Sequence, residues 1–293
     1  MGPAARLEGV EAWLETRAPF DGAALIEFLA RRAIPGVEEV IDDAYRRSVR
    51  LPGGPAVVEL VPDGRGVRLR AELARPDDLA PAVERARALF DLDADPTAIA
   101  ATLGVDPLLA PLVEAAPGRR VPGSVDATEL AVRAVLGQQV SLGAAITLAS
   151  RLVVECGESL ERSAGAVTHL FPTATALARL DPEHLAMPWS RRRALLGLCE
   201  ALARGELVLD RGADAGAARE RLLELPGIGP WTAEYVAMRV LGDGDAFMPT
   251  DLGIRRGLER LGRDPSRAAA VRLAERWRPY RAYAMQHLWA VGP

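Results

Sequence analysis

Residues 225–251 read LPGIGPWTAEYVAMRVLGDGDAFMPTD, and this stretch decides the fold. Leu225-Pro226-Gly227-Ile228-Gly229 is a turn whose two glycines permit backbone geometry that a Cβ resists. A helical run over 231–241 follows it. Glycines set just before a helix start turn backbone N–H groups outward at the positive end of the helix dipole, where an anion such as a phosphate can sit. Twenty-two residues after Gly229 stands Asp251, a single carboxylate after Phe247-Met248-Pro249-Thr250 and just before another helical run. An N-cap for that run is the plain reading of Asp251 taken alone. An anion-gripping turn followed by one carboxylate adds a chemical reading beside it.

Outward from this segment the chain divides into three stretches. Residues 21–33 (DGAALIEFLARRA) carry helical apolar spacing at Leu25, Phe28 and Leu29. Residues 56–62 and 66–73 alternate with period two around Asp63-Gly64, which predicts a hairpin. Residues 77–90 return to a helical period, and beyond Asp91 no strand is expected. Residues 126–154 read as a long helix or a helix pair beginning at an Asp/Thr cap and interrupted at Gly137-Gln138-Gln139-Val140-Ser141. Further helices are expected over 191–203, 217–225, 231–241, 252–261 and 268–277. The predicted fold class is α+β: a small N-terminal α+β domain followed by an all-α helical body.

Composition narrows the chemistry. The chain has 293 residues, 36 basic and 40 acidic, for a net charge of −4, which is not the footprint of a general nucleic-acid binder. Local clusters at Arg191-Arg192-Arg193, Arg255-Arg256 and Arg276, Arg278 and Arg281 would have to form a small basic face. Every basic residue is arginine. A Schiff-base mechanism needs a deprotonatable amine, which arginine does not supply. Cys156 and Cys199 are too few for a four-cysteine zinc site or iron–sulfur cluster and suit a reducing compartment. No apolar run reaches 18 residues and the start lacks a signal-peptide pattern, so no membrane association and a cytoplasmic location are expected. His169, His184 and His287 are dispersed and expected to be structural or exposed.

Four further segments, taken with the hairpin and Pro249-Thr250-Asp251, carry a family resemblance. They are LFD (89–91), RRVPG (119–123), VRAVLGQQVS (132–141) and RWRPYRAYAMQHLW (276–289). LPGIG by itself also occurs in non-enzymatic helix-hairpin-helix modules. With these segments in this order the chain resembles the helix-hairpin-helix DNA glycosylases, specifically the alkylation-repair branch containing bacterial DNA-3-methyladenine glycosylase II. The resemblance implies a domain over 1–90, a helical domain from 91–125 and 245–293 that supplies an aromatic pocket and catalytic loop, and a helical domain over 126–244 containing the hairpin. The active-site cleft would lie between the helical pair.

It also implies an activity: flipping alkylated bases of the 3-methyladenine and 7-methylguanine type out of double-stranded DNA and removing them hydrolytically, as a monomer. Relatives that also cut the strand have a lysine two residues after the second hairpin glycine; here Trp231 stands there, which points to water as the nucleophile. Asp251 would stabilise the oxocarbenium-like sugar or activate the water. Trp289, Trp231, Tyr235 and Phe28 would wall the base pocket, with Leu252 where some relatives place a tyrosine. Gln139 would be the wedge that fills the gap in the duplex. Gly227, Gly229, the Thr232 region and Arg255 would contact phosphates. No cofactor is expected beyond Na+ or K+ at the backbone carbonyls of Leu223, Leu225 and Gly227. A non-catalytic DNA-binding or damage-sensing protein, and a glycosylase for deaminated or oxidised bases, are the competing readings.

Overall fold

The structure is a computed structural model that describes residues 9–292. Strand β1 (Val10–Glu15) leads to helix α1 (Gly22–Ala30), which Asp21 caps by accepting the Ala24 amide at 3.1 Å. Strands β2 (Glu38–Ile41), β3 (Ala44–Leu51), β4 (Gly54–Pro62) and β5 (Gly66–Glu72) complete an antiparallel sheet of order β1-β5-β4-β3-β2. The predicted hairpin is β4–β5, with Pro62 paired to Val67. Helix α2 (Leu79–Phe90) packs Leu89 and Phe90 into the apolar cluster of this sheet, with Leu14, Leu60 and Leu69.

The helical body runs through α3 (Pro96–Leu103), α4 (Ala110–Ala115), α5 (Ala127–Leu136) and α6 (Leu142–Cys156). The break between α5 and α6 is the predicted 137–141 interruption. The expectation of no strand beyond Asp91 fails: β6 (Glu158–Ala164) and β7 (Val167–Leu170) form a two-stranded hairpin. A lone two-stranded hairpin is marginal in water, and this one docks on the N-terminal domain. The Thr168 and His169 amides donate to the Gly36 carbonyl, and Ser48 Oγ donates to the His169 carbonyl at 2.6 Å. Its stability comes from tertiary contacts, which a mostly polar strand such as ESLERSA does not advertise.

Beyond it lie α7 (Ala174–Ala178), α8 (Trp189–Ala203), α9 (Ala215–Glu224), α10 (Pro230–Val236), α11 (Leu252–Arg260), α12 (Arg267–Ala274) and α13 (Arg281–Val291). The run expected as one helix over 231–241 changes to π geometry over Ala237–Leu241. Two apolar clusters organise the body. One joins α5, α6, α8, α9 and α10, and the other joins α3, α4, α11, α12, α13 and Ala246–Met248.

A buried ionic network fixes the sheet domain to the body. Arg47 of β3 donates to Glu38 at 3.0 Å and to Glu129 of α5 at 2.5 Å, while Arg133 of α5 donates to Glu38 at 3.0 Å. Burial alone would raise the Glu38 carboxyl, but Arg133 and Arg47 outweigh it and hold the group below the ordinary glutamate value. Breaking one member of such a network leaves an uncompensated buried charge, so the domains are held in one relative position.

Candidate active site

Asp251 sits where the loop after the π turn meets α11. Its Oδ1 accepts the Ile254 amide at 3.1 Å, the N-cap bond. The same oxygen accepts Trp289 Nε1 at 2.8 Å, and Oδ2 accepts Trp231 Nε1 at 2.9 Å. The helix cap and the candidate catalytic carboxylate are therefore one group, held by donors from three helices. Gly253 makes room for this: a Cβ there would lie 2.6 Å from Trp289 Cδ1.

The carboxylate opens on a cleft of about 750 Å³ between the two helical clusters and the sheet domain. Trp231, Tyr235, Trp289, Leu252 and Phe28 line it, so the structure brings the whole expected pocket set together. Trp231 and Tyr235 are stacked, with centroids 5.1 Å apart and planes 8° from parallel. Leu252 is 54% exposed at the cleft.

Arginines that sequence reasoning gave no site role also line the cleft, among them Arg32, Arg133 and Arg239. The Arg32 guanidinium lies 3.7 Å from the Phe28 ring centroid and that of Arg239 lies 4.9 Å from it, so the ring already carries two cations. Burial pushes Arg32 down to about 10. Arg239 Nη1 donates to the Tyr235 hydroxyl at 2.7 Å. Burial would raise that hydroxyl, but Arg239, Arg32 and Arg133 outweigh it and bring it below the ordinary tyrosine value. Arg239 Nε, Arg119 Nε and Gln286 Nε2 are buried without a protein acceptor, and all three residues line this cleft. The signal for several was present as helical spacing: Arg32 and Arg239 follow Phe28 and Tyr235 by four residues, and Gln286 precedes Trp289 by three.

A family model described as "HhH-GPD superfamily base excision DNA repair protein" matches residues 132–279, and one described as "AlkA N-terminal domain" matches residues 12–126. The chain belongs to the HhH-GPD superfamily. It is 37% identical to "DNA-3-methyladenine glycosylase 2" of Escherichia coli K12 over 94% of this chain and 95% of that protein. It is 51% identical to the "Probable bifunctional transcriptional activator/DNA repair enzyme AlkA" of Mycobacterium tuberculosis H37Rv over 94% of this chain, and it spans 56% of that relative's length. The solved structure of "3-methyladenine dna-glycosylase from Archaeoglobus fulgidus" shares the fold, with a TM-score of 0.83 at 22% identity over 95% of this chain and 97% of that one.

The hairpin of this HhH-GPD chain joins α9 to α10. Gly227 has φ +84°, and a Cβ there would meet Ala194 Cβ of α8 at 2.7 Å, so only glycine fits. Gly229 is the N-cap of α10, with open space beside it. Thr232 is 3% exposed and its hydroxyl accepts Gln138 Nε2 at 3.0 Å, so that hydroxyl does not face a phosphate. Its amide, in the first turn of α10, remains the feature suited to an anion.

Arg255 is exposed in the first turn of α11. Gln139 is exposed at the tip of the α5–α6 turn, with φ +56°. Among the carbonyls expected to hold a cation, Leu225 accepts the Ile228 amide at 3.1 Å and Gly227 accepts Gln138 Nε2 at 3.1 Å. A carbonyl has two lone pairs, and Leu223 lies in the last turn of α9, where helical carbonyls lack intrahelical partners. Carbonyl oxygens are hard donors of the chemical kind that a monovalent cation would take.

Proposed function

We propose that this chain is a monofunctional DNA glycosylase that extrudes an alkylated base from duplex DNA and hydrolyses its glycosidic bond. The carrying observation is Asp251, fixed by two indole N–H groups at a cleft large enough for a nucleobase and joined through α10 to an anion-binding hairpin. The names of the Escherichia coli and Archaeoglobus fulgidus proteins support a glycosylase for alkylated bases, and that of the Mycobacterium tuberculosis protein supports a role in DNA repair.

Alkylation at N3 or N7 leaves a cationic purine. As the C1′–N bond breaks, its electron pair goes to the base and positive charge develops on the sugar. Asp251 presents a fixed negative charge to that sugar, so it stabilises the charge as it forms and needs little reorganisation. Oδ1 carries two of the three hydrogen bonds and Oδ2 one, which makes Oδ2 the oxygen for orienting the attacking water. Water adds to C1′ and gives up a proton, leaving an abasic site. The hairpin carbonyls of Leu223, Leu225 and Gly227 would hold Na+ or K+ and bring the phosphate-facing turn under its positive charge.

Strand cleavage is not part of the proposal, because the chain has no lysine and Trp231 occupies the hairpin position where the resemblance places one. Purified protein on alkylated duplex DNA should release free base and leave a strand that breaks only in hot alkali. Borohydride should trap no protein–DNA adduct. Trapping in high yield would overturn the monofunctional reading, and binding without any base release would favour a damage sensor.

A further inference from the structure

The turn that presents Gln139 is anchored on both sides by the residue before it. Gln138 Nε2 donates to the Gly227 carbonyl at 3.1 Å and to Thr232 Oγ1 at 3.0 Å. The Gln138 carbonyl accepts Arg191 Nη1 of α8 at 2.8 Å, and the same nitrogen lies 3.4 Å from the Leu136 carbonyl. One residue thus joins the α5–α6 turn to the hairpin, to the first turn of α10 and to α8. We propose that Gln138 is a positioning residue that makes the wedge and the phosphate grip one rigid unit, so that seating of the backbone on the hairpin sets Gln139 at the depth needed for base extrusion. This rests on the glycosylase reading and on Gln139 as the wedge.

The geometry carries the proposal in two ways. Gln139 holds φ +56°, a conformation that non-glycine residues keep only where the surroundings enforce it. The bonds of Gln138 supply that enforcement at the adjacent position. Gln138 also meets the hairpin at the two residues that organise it, Gly227 at its left-handed turn and Thr232 where α10 starts. α10 carries Trp231 and Tyr235, so the same pair of bonds references the wedge to the base pocket. A purely structural role would act through stability and lower the rate on every substrate alike. A positioning role acts only when a paired, stacked base has to be displaced.

Gln138→Met keeps the side-chain length and removes both donors. Gln138→Glu keeps the shape and sets a carboxylate against a carbonyl. Single-turnover base release would be measured for the wild type, both variants and Gln139→Ala on one 7-methylguanine oligonucleotide, paired as a duplex and as a single strand. Thermal melting would be recorded for each protein. The expected result is a drop of about tenfold or more on the duplex for both Gln138 variants and Gln139→Ala, with release from the single strand held within about threefold of wild type. Duplex rates near wild type in the Gln138 variants, or equal losses on both substrates, overturn the latch while the glycosylase reading stands. A wild type that releases base from neither substrate overturns the glycosylase reading and the latch with it.

Discussion

Asp251 unites roles that a sequence presents as alternatives. Its bond to the Ile254 amide starts α11, and its bonds to Trp231 and Trp289 orient its oxygens toward the cleft. The indoles therefore do more than wall a pocket. Trp289→Phe keeps an aromatic ring beside the base and deletes one donor to Oδ1. Hydrogen bonds to a charged group are worth about 1.5–3 kcal/mol. Base release from alkylated duplex should fall by roughly tenfold to a hundredfold, more than the accompanying loss of a few degrees in melting temperature accounts for. Unaltered release would make the Trp289 N–H irrelevant to the chemistry. The spacing of Asp251 from the hairpin was legible in the sequence, because both lie in one segment. Its contact with Trp289 was not, because that residue is 38 positions away and the pairing depends on how α11 packs on α13.

Among the elements, those with a local signature were readable and those stabilised at a distance were not. The β4–β5 hairpin announced itself by alternation around a turn, and the α5–α6 break by Gly137 and a serine cap. Strand β3 (AYRRSVRL) hides its period, because Arg46 and Arg47 are buried where apolar residues are expected. Each is compensated by carboxylates on other elements: Glu59, and Glu38 with Glu129. The junction of α2, the 119–123 loop and α13 has the same character. Asp91 ends α2 and accepts the Tyr283 hydroxyl at 2.8 Å and the Val121 amide at 3.2 Å.

Burial pushes Asp91 up to about 6 from 3.8, only partly countered by those two bonds. Burial, helped by the Arg119 cation, pushes nearby His287 of α13 down to about 4 from 6.5. The two act oppositely on stability. Between pH 3.8 and 6 the unfolded chain loses the Asp91 proton while the folded chain keeps it, so this contribution falls as pH rises. Between pH 4 and 6.5 the unfolded chain holds a His287 proton that the folded chain does not, so that contribution grows. Each is of order 3 kcal/mol, and together they nearly cancel. Asp91→Asn removes the first alone. Denaturant titrations should give a variant-minus-wild-type stability difference that grows by up to about 3 kcal/mol from pH 4 to 6.5. A difference constant across that range would contradict titration of Asp91 in the fold.

For the whole molecule, the cleft depends on three bodies held in register. α1 and the turn after it bring Phe28 and Arg32, α10 and the π turn that continues it bring Trp231, Tyr235 and Arg239, and α13 brings Gln286 and Trp289. The Glu38–Arg47–Glu129–Arg133 network ties the sheet domain to α5, and Arg133 Nη2 donates to the Arg32 carbonyl at 2.5 Å, which fixes the first of these on the helical body. Composition gave little hint of this, since a net charge of −4 says nothing of arginines gathered at one cleft. The central claim is that Asp251 supplies the charge that drives base departure. The most direct measurement is release of 3-methyladenine from alkylated duplex DNA by the wild type and Asp251→Asn, with duplex binding measured on the same preparations. The account predicts a fall in release of two or more orders of magnitude, about 3 kcal/mol or more, with binding retained. An Asp251→Asn variant that binds duplex and releases the base at a near-normal rate would contradict it.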